Sequence, residues 1–285
     1  MTKNPIPAKP FGSAEHMVTR VGLGGEGILR TTGKNESARR VISSAIAEGI
    51  TYYDSARVYS DSEVYYGSIW GQEPQARSRV FQTSKSASRD KNGARKDLEE
   101  TFQRLGVDYL DLWQIHDVRT LEELSVISGP GGALEAFMEA KEEGKVRYIG
   151  VTGHHDPEVL TRAVEKLPVD SVMMPVNPAE ELLGGFLTST LPAAQEKSIA
   201  VIGMKIMGGG HYIAPHLGVT PELLLRYALN KPITVAIVGC SSPSEVETLA
   251  AQGRLLQPLE DAELQRILAP FKENARRIAF YRGVV

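Results

Sequence analysis

The sequence has almost no cysteine. Among its 285 residues only Cys240 is a cysteine, so no internal disulfide can form and no cluster of cysteine ligands can hold a metal ion. Free thiols are typical of proteins that stay in a reducing compartment. We therefore predict a cytoplasmic protein without a metal site.

The sequence also lacks long apolar runs and an excess of positive charge. It begins with a polar stretch interrupted by prolines, and no later segment is apolar over the roughly 20 residues that a membrane helix needs. The formal net charge is −3, and the 32 basic and 35 acidic side chains are spread along the chain. Binding to phosphate backbones needs a basic excess. We therefore expect no membrane and no nucleic acid partner.

What the sequence does contain is a repeated alternation. Short runs rich in Val and Ile alternate with segments in which apolar residues recur every three or four positions, the spacing of an amphipathic helix. No low-complexity linker divides the chain, so we predict one domain over residues 1–285. The eight apolar runs, each predicted to be a strand, are 18–25, 50–54, 80–85, 109–116, 148–153, 171–177, 199–205 and 235–239.

Eight strand–helix repeats in about 250 residues are typical of a closed parallel barrel. We therefore predict the α/β class and a (β/α)8 TIM barrel, with a doubly wound open sheet as the alternative because it shows the same alternation. Asp156, Thr220 and Ser242 each precede a proline, which predicts an N-cap at each position. The residues after Leu259 predict an extra C-terminal helix.

Polar side chains end three successive predicted strands. Asp54 ends the second strand and leads into a loop with Tyr59, Lys85 ends the third, and His116 ends the fourth. The carboxyl ends of barrel strands form one face, on which catalytic residues gather. Each residue alone also fits a structural role, as a cap, a surface charge or a core histidine. The four together predict an active site.

These four residue types suit proton transfer to a carbonyl oxygen. A tyrosine has an ordinary pKa near 10, so we expect the Lys85 ammonium to lower the pKa of Tyr59 and make it a better acid. Asp54 would pair with Lys85, and His116 would orient the carbonyl. Hydride transfer exceeds what side chains can do, which implies a nicotinamide cofactor.

The segment YYDSARVYSDSEVYYG resembles the aldo-keto reductase family, through Asp54, Tyr59, Glu63 and Gly67. FQTSK is similar to the lysine strand of that family and LDLWQIHD to its histidine strand, while KPFGSAEHMVTRVGLGG resembles its N-terminal β-hairpin and first strand. The resemblance implies reversible reduction of aldehydes or ketones by NADPH or NADH. It also implies that Asp54, Tyr59, Lys85 and His116 are the catalytic tetrad.

The same resemblance implies a set of cofactor-binding residues. YIGVTG and MMPVNP are similar to the fifth and sixth strands of the family, and IGMKIMGGG carries a methionine where the family commonly has an aromatic residue that stacks on the nicotinamide. A thioether can also cover a ring face, and the glycines permit close backbone approach to a pyrophosphate. The implied residues are Gly25, Thr152, Gly153, Asn177, Met204, Lys205, Met207, Gly208, Gly209, Gly239, Ser241, Ser242 and Glu245.

The predicted adenosine end departs from members of the family that prefer NADPH. Gly239 and Glu245 stand where those members carry basic residues, and a carboxylate beside a 2′-hydroxyl would suit NADH. Glu245 has a second interpretation, because Ser242 and Glu245 have the spacing of a helix capping box. We place NADP(H) slightly ahead as the cofactor, with NAD(H) possible.

Three other patterns have simpler interpretations. GLGGEG at residues 22–27 has the glycines of a dinucleotide fingerprint, but the next helix is predicted only near Asn35, too late for that fold. Tyr227 and Lys231 have the spacing used by short-chain dehydrogenases, and we interpret them as helix surface. His154 and His155 lack a third metal ligand at a suitable spacing.

One functional alternative remains open at this stage. A reductase-like barrel could keep the tetrad and serve as a nucleotide-binding sensor or regulator with little turnover. The partner expected from the tetrad is a small carbonyl or alcohol substrate, whose identity depends on loops that follow the strands. The sequence does not indicate the oligomeric state.

Overall fold

The computed structural model describes residues 3–283 and contains one closed barrel of eight parallel strands. The first barrel strand pairs with the last through Ala236 and Val21, so the sheet closes on itself. A closed ring of parallel strands confirms the predicted (β/α)8 TIM barrel and excludes the open sheet. The barrel strands are β3 (Val21–Gly27), β4 (Tyr52–Tyr53), β5 (Phe81–Ser86), β6 (Leu110–Ile115), β7 (Val146–Thr152), β8 (Ser171–Pro175), β9 (Ala200–Met204) and β10 (Val235–Cys240).

A short antiparallel hairpin, β1 (Ala8–Pro10) and β2 (Met17–Thr19), precedes the barrel. The predicted run 18–25 was wrong as a single strand, because it spans part of β2 and part of β3. Arg20 separates the two, and its buried guanidinium donates to the Leu229 carbonyl at 2.8 Å. This bond anchors the chain where it passes from the hairpin into the barrel.

The hairpin closes the amino end of the barrel. Phe11 and Val18 are buried there in one cluster with Tyr52, Phe81 and Leu112, which point inward from the barrel strands. The Phe11 and Phe81 ring centroids lie 4.7 Å apart. Burial of these aromatic and aliphatic groups stabilises the floor of the barrel and leaves the carboxyl end as the open face.

Helices surround the barrel, and their ends follow the predicted capping residues. Asp156 accepts a hydrogen bond from the Glu158 N–H at 2.7 Å, and Thr220 and Ser242 accept at 3.4 Å from the third residue that follows each. None of the described helices is both long and apolar enough to cross a membrane. The helices are α1 (Asn35–Ala47), α2 (Ser62–Trp70), α3 (Pro74–Arg77), α4 (Lys91–Leu105), α5 (Leu121–Ser128), α6 (Ala133–Glu142), α7 (Pro157–Lys166), α8 (Pro178–Leu183), α9 (Leu191–Glu196), α10 (Pro221–Leu229), α11 (Pro243–Leu255), α12 (Asp261–Leu268) and α13 (Ala275–Ile278).

The extra C-terminal helix is confirmed as α12, and the chain then returns to the open face. Residues 279–283, here called the C-terminal tail, lie against α8. The Tyr281 hydroxyl donates to the buried Glu180 carboxylate at 2.8 Å, and Arg282 forms an ion pair with the same carboxylate. The Gly283 N–H donates to the His155 carbonyl at 3.0 Å. These three polar contacts help to hold the tail.

The interpretation of Tyr227 and Lys231 as helix surface was wrong for the tyrosine. Tyr227 is fully buried in α10, and its hydroxyl donates to Glu181 at 2.6 Å. Lys231 lies beyond the helix and pairs with the same carboxylate at 2.5 Å. The helix packs its tyrosine face inward because Glu181 of α8 satisfies the hydroxyl.

Gly67 lies where α2 packs closely against α4, so a substitution at this position tests the packing between the two helices. A Cβ at this position would lie 2.2 Å from the Arg104 carbonyl oxygen. We expect Gly67→Ala to lower the free energy of unfolding by about 1–3 kcal/mol, because the helices would have to separate. Urea denaturation measures the change. The control is Gly71→Ala, where the nearest atom is 3.3 Å away; equal stability of the two variants would contradict this account.

Candidate active site

The predicted tetrad meets at the open face of the barrel. Asp54 directly follows β4, Lys85 lies in β5, and His116 directly follows β6. These strands are neighbours in the sheet, and the backbone N–H of His116 donates to the Ser86 carbonyl at 2.8 Å. The structure therefore brings together side chains that are 62 positions apart in sequence, from 54 to 116.

Lys85 and Asp54 form a buried ion pair. The ammonium lies 2.8 and 2.7 Å from the two carboxylate oxygens, and it also donates to the Ser55 carbonyl at 2.8 Å. Thr83 donates to the same carboxylate at 3.0 Å. Burial lowers the pKa of Lys85, and the charge of Asp54 opposes that shift. The pair therefore fixes the positions of one positive and one negative charge within the site.

The Tyr59 ring lies between this ion pair and His116. Lys85 Nζ is 4.7 Å from the ring centroid, and the His116 ring meets it edge-on with centroids 5.5 Å apart. Gly25 makes room for the ring, because a Cβ there would lie 2.6 Å from Tyr59 Cδ2. Gly25 thus has a steric role beside the tyrosine.

The pKa of Tyr59 is raised, contrary to the expectation that Lys85 lowers it. Burial, followed by the charges of Asp54 and Glu26, raises the pKa of Tyr59 well above its ordinary value of 10.0, and only Arg30 among the main contributors acts to lower it. Lys85 is not among these main contributors. The phenol therefore keeps its proton at neutral pH.

His116 is held in its neutral form. Burial, and then the positive charge of Lys85, lowers the pKa of His116 well below its ordinary value of 6.5. A neutral imidazole still has one ring N–H to donate. His116 can therefore orient an oxygen acceptor without adding a second cation beside Lys85.

Glu63 holds the loop that carries Tyr59. Its fully buried carboxylate accepts from Ser84 and Thr101 at 2.7 Å each, from Arg57 at 3.0 Å and from Arg104 at 3.1 Å. Arg57 lies in the loop, and Arg104 also donates to the Ser60 carbonyl. Four donors satisfy a carboxylate that would otherwise be costly to bury. In the sequence, Glu63 could be recognised only as part of the family pattern. Its four hydrogen-bond partners in the structure show that it holds the Tyr59 loop.

The predicted cofactor residues on the fifth and sixth strands are buried beside the tetrad. The Thr152 hydroxyl accepts from the Asp117 N–H at 2.8 Å and keeps its own proton to donate. Gly153 follows in the chain and donates its N–H to the Met173 carbonyl at 3.2 Å.

Asn177 has no free polar atom for a ligand. Its amide nitrogen donates to the Lys205 carbonyl at 3.1 Å and to the Tyr281 hydroxyl at 2.7 Å. Its oxygen accepts from two N–H groups at the start of α8. These bonds use every hydrogen-bonding site of the amide, so any contact of Asn177 with a nicotinamide would be through van der Waals surface.

The seventh strand ends in an open loop. Met204 is half-buried at the end of β9, and Met207 packs on the outer core. Lys205 adopts a φ of +56°, and its ammonium lies 3.9 Å from Glu26. Three glycines follow, Gly208, Gly209 and Gly210, and all have positive φ values, which residues with side chains disfavour. A Cβ at Gly210 would meet nothing within 4 Å.

The eighth strand leads into a capped helix. The Glu245 carboxylate accepts from the Ser241 N–H at 2.7 Å, while Ser242 accepts from the Glu245 N–H. This geometry supports the capping interpretation of Glu245. Gly239 lies against β3, where a Cβ would be 2.5 Å from the Glu26 backbone.

The sequence analysis missed Arg30 and Glu26, and it considered His154 only as a possible metal ligand. Arg30 lies over the Tyr59 ring, with Cζ 4.9 Å from the centroid, and pairs with Glu26 at 2.7 Å. His154 lies 3.3 Å from Asp117 and 3.1 Å from the Tyr281 carbonyl. Over residues 3–283 no group of three or more metal-ligating side chains occurs. Only the spacing of four residues between Glu26, near the end of β3, and Arg30, just after it, could have indicated the first pair.

The low pKa of His116 makes a testable contribution to stability. Unfolding takes up a proton below about pH 6.5, the ordinary pKa of histidine, so the free energy of unfolding falls as pH decreases through that region and down to the folded-state pKa. We expect His116→Gln to reduce this decline between pH 6.5 and 5.5, measured by urea denaturation. The exposed His216→Gln is the control. A decline as steep in His116→Gln as in the wild type would refute the shift.

The comparisons with known proteins agree with this geometry. The sequence matches the model of the Aldo/keto reductase family over residues 20–214, more than half of the chain. It is 26% identical over 315 residues to L-galactose dehydrogenase of Arabidopsis thaliana, covering 95% of this chain and 97% of that protein. It is 25% identical over 220 residues to aldo-keto reductase str7 of Strobilurus tenacellus, covering 72% of this chain but only 62% of that relative.

The fold is also similar to that of a solved structure. An aldo/keto reductase from Klebsiella pneumoniae, in complex with NADP and acetate, superposes with a TM-score of 0.74 at 23% identity, covering 92% of this chain and 94% of that chain. The chain belongs to the aldo/keto reductase family of NAD(P)-dependent oxidoreductases.

Proposed function

We propose that this protein reduces an aldehyde or ketone to the alcohol at the expense of NAD(P)H, with Tyr59 as the proton donor. The observation that carries the proposal is the position of the Tyr59 ring, 4.7 Å from the buried Lys85 ammonium and edge-on to the neutral His116. These groups lie at the open face of the barrel. We propose that the reaction occurs in one domain and in the cytoplasm.

The residues around the open face of the barrel fit a nicotinamide nucleotide. The Thr152 hydroxyl has a proton to donate to a carboxamide, and open space lies around Gly210 with its φ of +93°. Lys205 places an ammonium beside that loop, where it suits a pyrophosphate. We propose that these residues hold the cofactor, with Met204 against the ring, and that Gly25 and Gly239 keep the strand ends free of side chains.

The reduction then follows from the charges at the site. When bound, NAD(P)H supplies the hydride that attacks the carbonyl carbon. Tyr59 gives its proton to the carbonyl oxygen, so the C=O bond becomes CH–OH and the phenol becomes a phenolate. Lys85 stabilises that phenolate through its positive charge. His116 donates its ring N–H to the same oxygen and fixes the orientation of the carbonyl.

Tyr59 is protonated at neutral pH, which is the state that reduction requires. A phenol that keeps its proton is ready to act as the acid, whereas the reverse reaction needs the phenolate as a base. No contact among the described residues favours the alternative of a sensor with little turnover.

We propose NADP(H) as the cofactor, slightly ahead of NAD(H). The Klebsiella pneumoniae relative in complex with NADP supports this choice. Glu245 opposes it, because its carboxylate lies at the N-terminus of α11, the end at which a 2′-phosphate is expected to bind.

Substitution of the proton donor tests the central proposal. We expect Tyr59→Phe to lower kcat for aldehyde reduction by at least about 100-fold, the usual range for loss of a general acid, while NADPH binding changes little. Steady-state NADPH oxidation and cofactor fluorescence titration measure the two effects. Tyr148→Phe, at the closed end of the barrel, is the control. Near wild-type turnover by Tyr59→Phe would overturn the assignment.

The cofactor preference is tested at Glu245. Removal of its charge should tighten NADPH binding by roughly 3- to 10-fold and leave NADH binding within about 2-fold, because only NADPH brings a phosphate to this helix terminus. Fluorescence titration of Glu245→Gln with both nucleotides gives the ratio. The exposed Glu247→Gln on the same helix is the matched control. An unchanged NADPH-to-NADH ratio would show that the 2′-phosphate lies elsewhere.

A further inference from the structure

Arg30 is a cation beside the reacting groups that the tetrad does not include. It ends the 3-10 turn Ile28–Arg30 that follows β3, and its guanidinium lies over the Tyr59 ring, 4.9 Å from the centroid. Lys85 Nζ is 4.7 Å from the same centroid. Two positive groups therefore contact one phenol, and only Lys85 is neutralised by a buried carboxylate.

The Arg30 guanidinium has free hydrogen-bond donors. Within residues 3–283 it makes one hydrogen bond, from Nη1 to Glu26 at 2.7 Å, and its side chain is 46% exposed. A guanidinium has five N–H donors arranged as a fork. The Nη2 and Nε groups of Arg30 are thus available to a ligand at the open face of the barrel.

The side chains of Arg30, Lys205 and Glu26 together carry a net positive charge at the open face of the barrel. Glu26 faces both Arg30 at 2.7 Å and Lys205 at 3.9 Å, so one carboxylate is shared by two cations. The charge of Arg30 also contributes to the lowered pKa of His116, after burial and the charges of Lys85, His154 and Arg89. Arg30 therefore lies over Tyr59 and acts on His116, the two groups between which a carbonyl oxygen would bind.

We propose that Arg30 binds a carboxylate of the substrate, so that the preferred substrates are oxo acids with the carboxylate close to the carbonyl. This inference rests on the reductase function proposed above. The planar fork of arginine matches the two oxygens of a carboxylate and holds it in one orientation. Such a contact fixes the carbonyl carbon relative to Tyr59 and His116 and gives specificity that the tetrad alone lacks. Glu26 holds the guanidinium in place when no substrate is present.

A matched pair of substrates tests the proposal. Phenylglyoxylate carries a carboxylate beside its ketone, and its methyl ester has the same skeleton without the charge. We expect Arg30→Gln to lower kcat/KM for the acid by about 10- to 100-fold, as for loss of a charge-assisted bond, and for the ester by less than about 3-fold. The greater intrinsic reactivity of the ester cancels because each variant is compared with the wild type on the same compound.

Two further variants sharpen the comparison. Arg30→Lys keeps the charge and loses the fork, so its kcat/KM for the acid should lie between those of the wild type and Arg30→Gln. Arg40 forms a similar pair with Glu36 four residues away, on the outer helix α1. Arg40→Gln should leave kcat/KM unchanged for both the acid and the ester.

The outcomes separate the inference from the proposed function. An equal loss for acid and ester in Arg30→Gln would show that Arg30 acts on Tyr59 or His116, and it would overturn the inference. A matching loss of NADPH affinity in the fluorescence titration would assign Arg30 to a cofactor phosphate and overturn it as well. Tyr59-dependent reduction of neutral aldehydes without any selective effect on the acid would leave the reductase function intact. No turnover of any carbonyl compound would overturn both.

Discussion

The buried ion pair between Lys85 and Asp54 is the interaction on which the rest of the site depends. An isolated charge at this depth would be strongly disfavoured, so each partner requires the other. The pair joins two neighbouring strands of a closed barrel, where backbone hydrogen bonds fix the relative positions of the two Cα atoms. The Ser55 carbonyl accepts the third proton of the ammonium, which also positions the start of the Tyr59 loop.

The loop that carries Tyr59 is held from two sides. The ion pair lies at its beginning, and the Glu63 carboxylate with its four donors lies behind it. A side chain at a loop position is ordinarily mobile, but here the backbone of the loop is bound to Lys85, since the Arg57 N–H donates to the Lys85 carbonyl at 3.1 Å. The phenol therefore has a defined position without being part of a strand or helix.

The sequence predicts the fold and the tetrad because both depend on local patterns and on one rule of barrel geometry. Strand ends gather at one face, so Asp54, Lys85 and His116 had to meet once the eight strands were recognised. The pKa of Tyr59 could not be predicted in this way, since it depends on burial and on the charges of Asp54 and Glu26 around the folded ring. The full use of the Asn177 amide depends on Tyr281, 104 positions later in the chain. The burial of Tyr227 likewise depends on Glu181 in a different helix.

The hairpin at the amino end of the barrel determines how reactants can reach the site. Phe11 and Val18 fill the floor together with the inward side chains of the strands, so packed side chains cover the amino end of the barrel. In the function proposed above, nucleotide and carbonyl compound would both enter from the carboxyl end of the barrel. The one that binds nearer to the floor would then have to arrive first and leave last, so a closed floor would impose an order of binding on a reaction whose chemistry alone requires none.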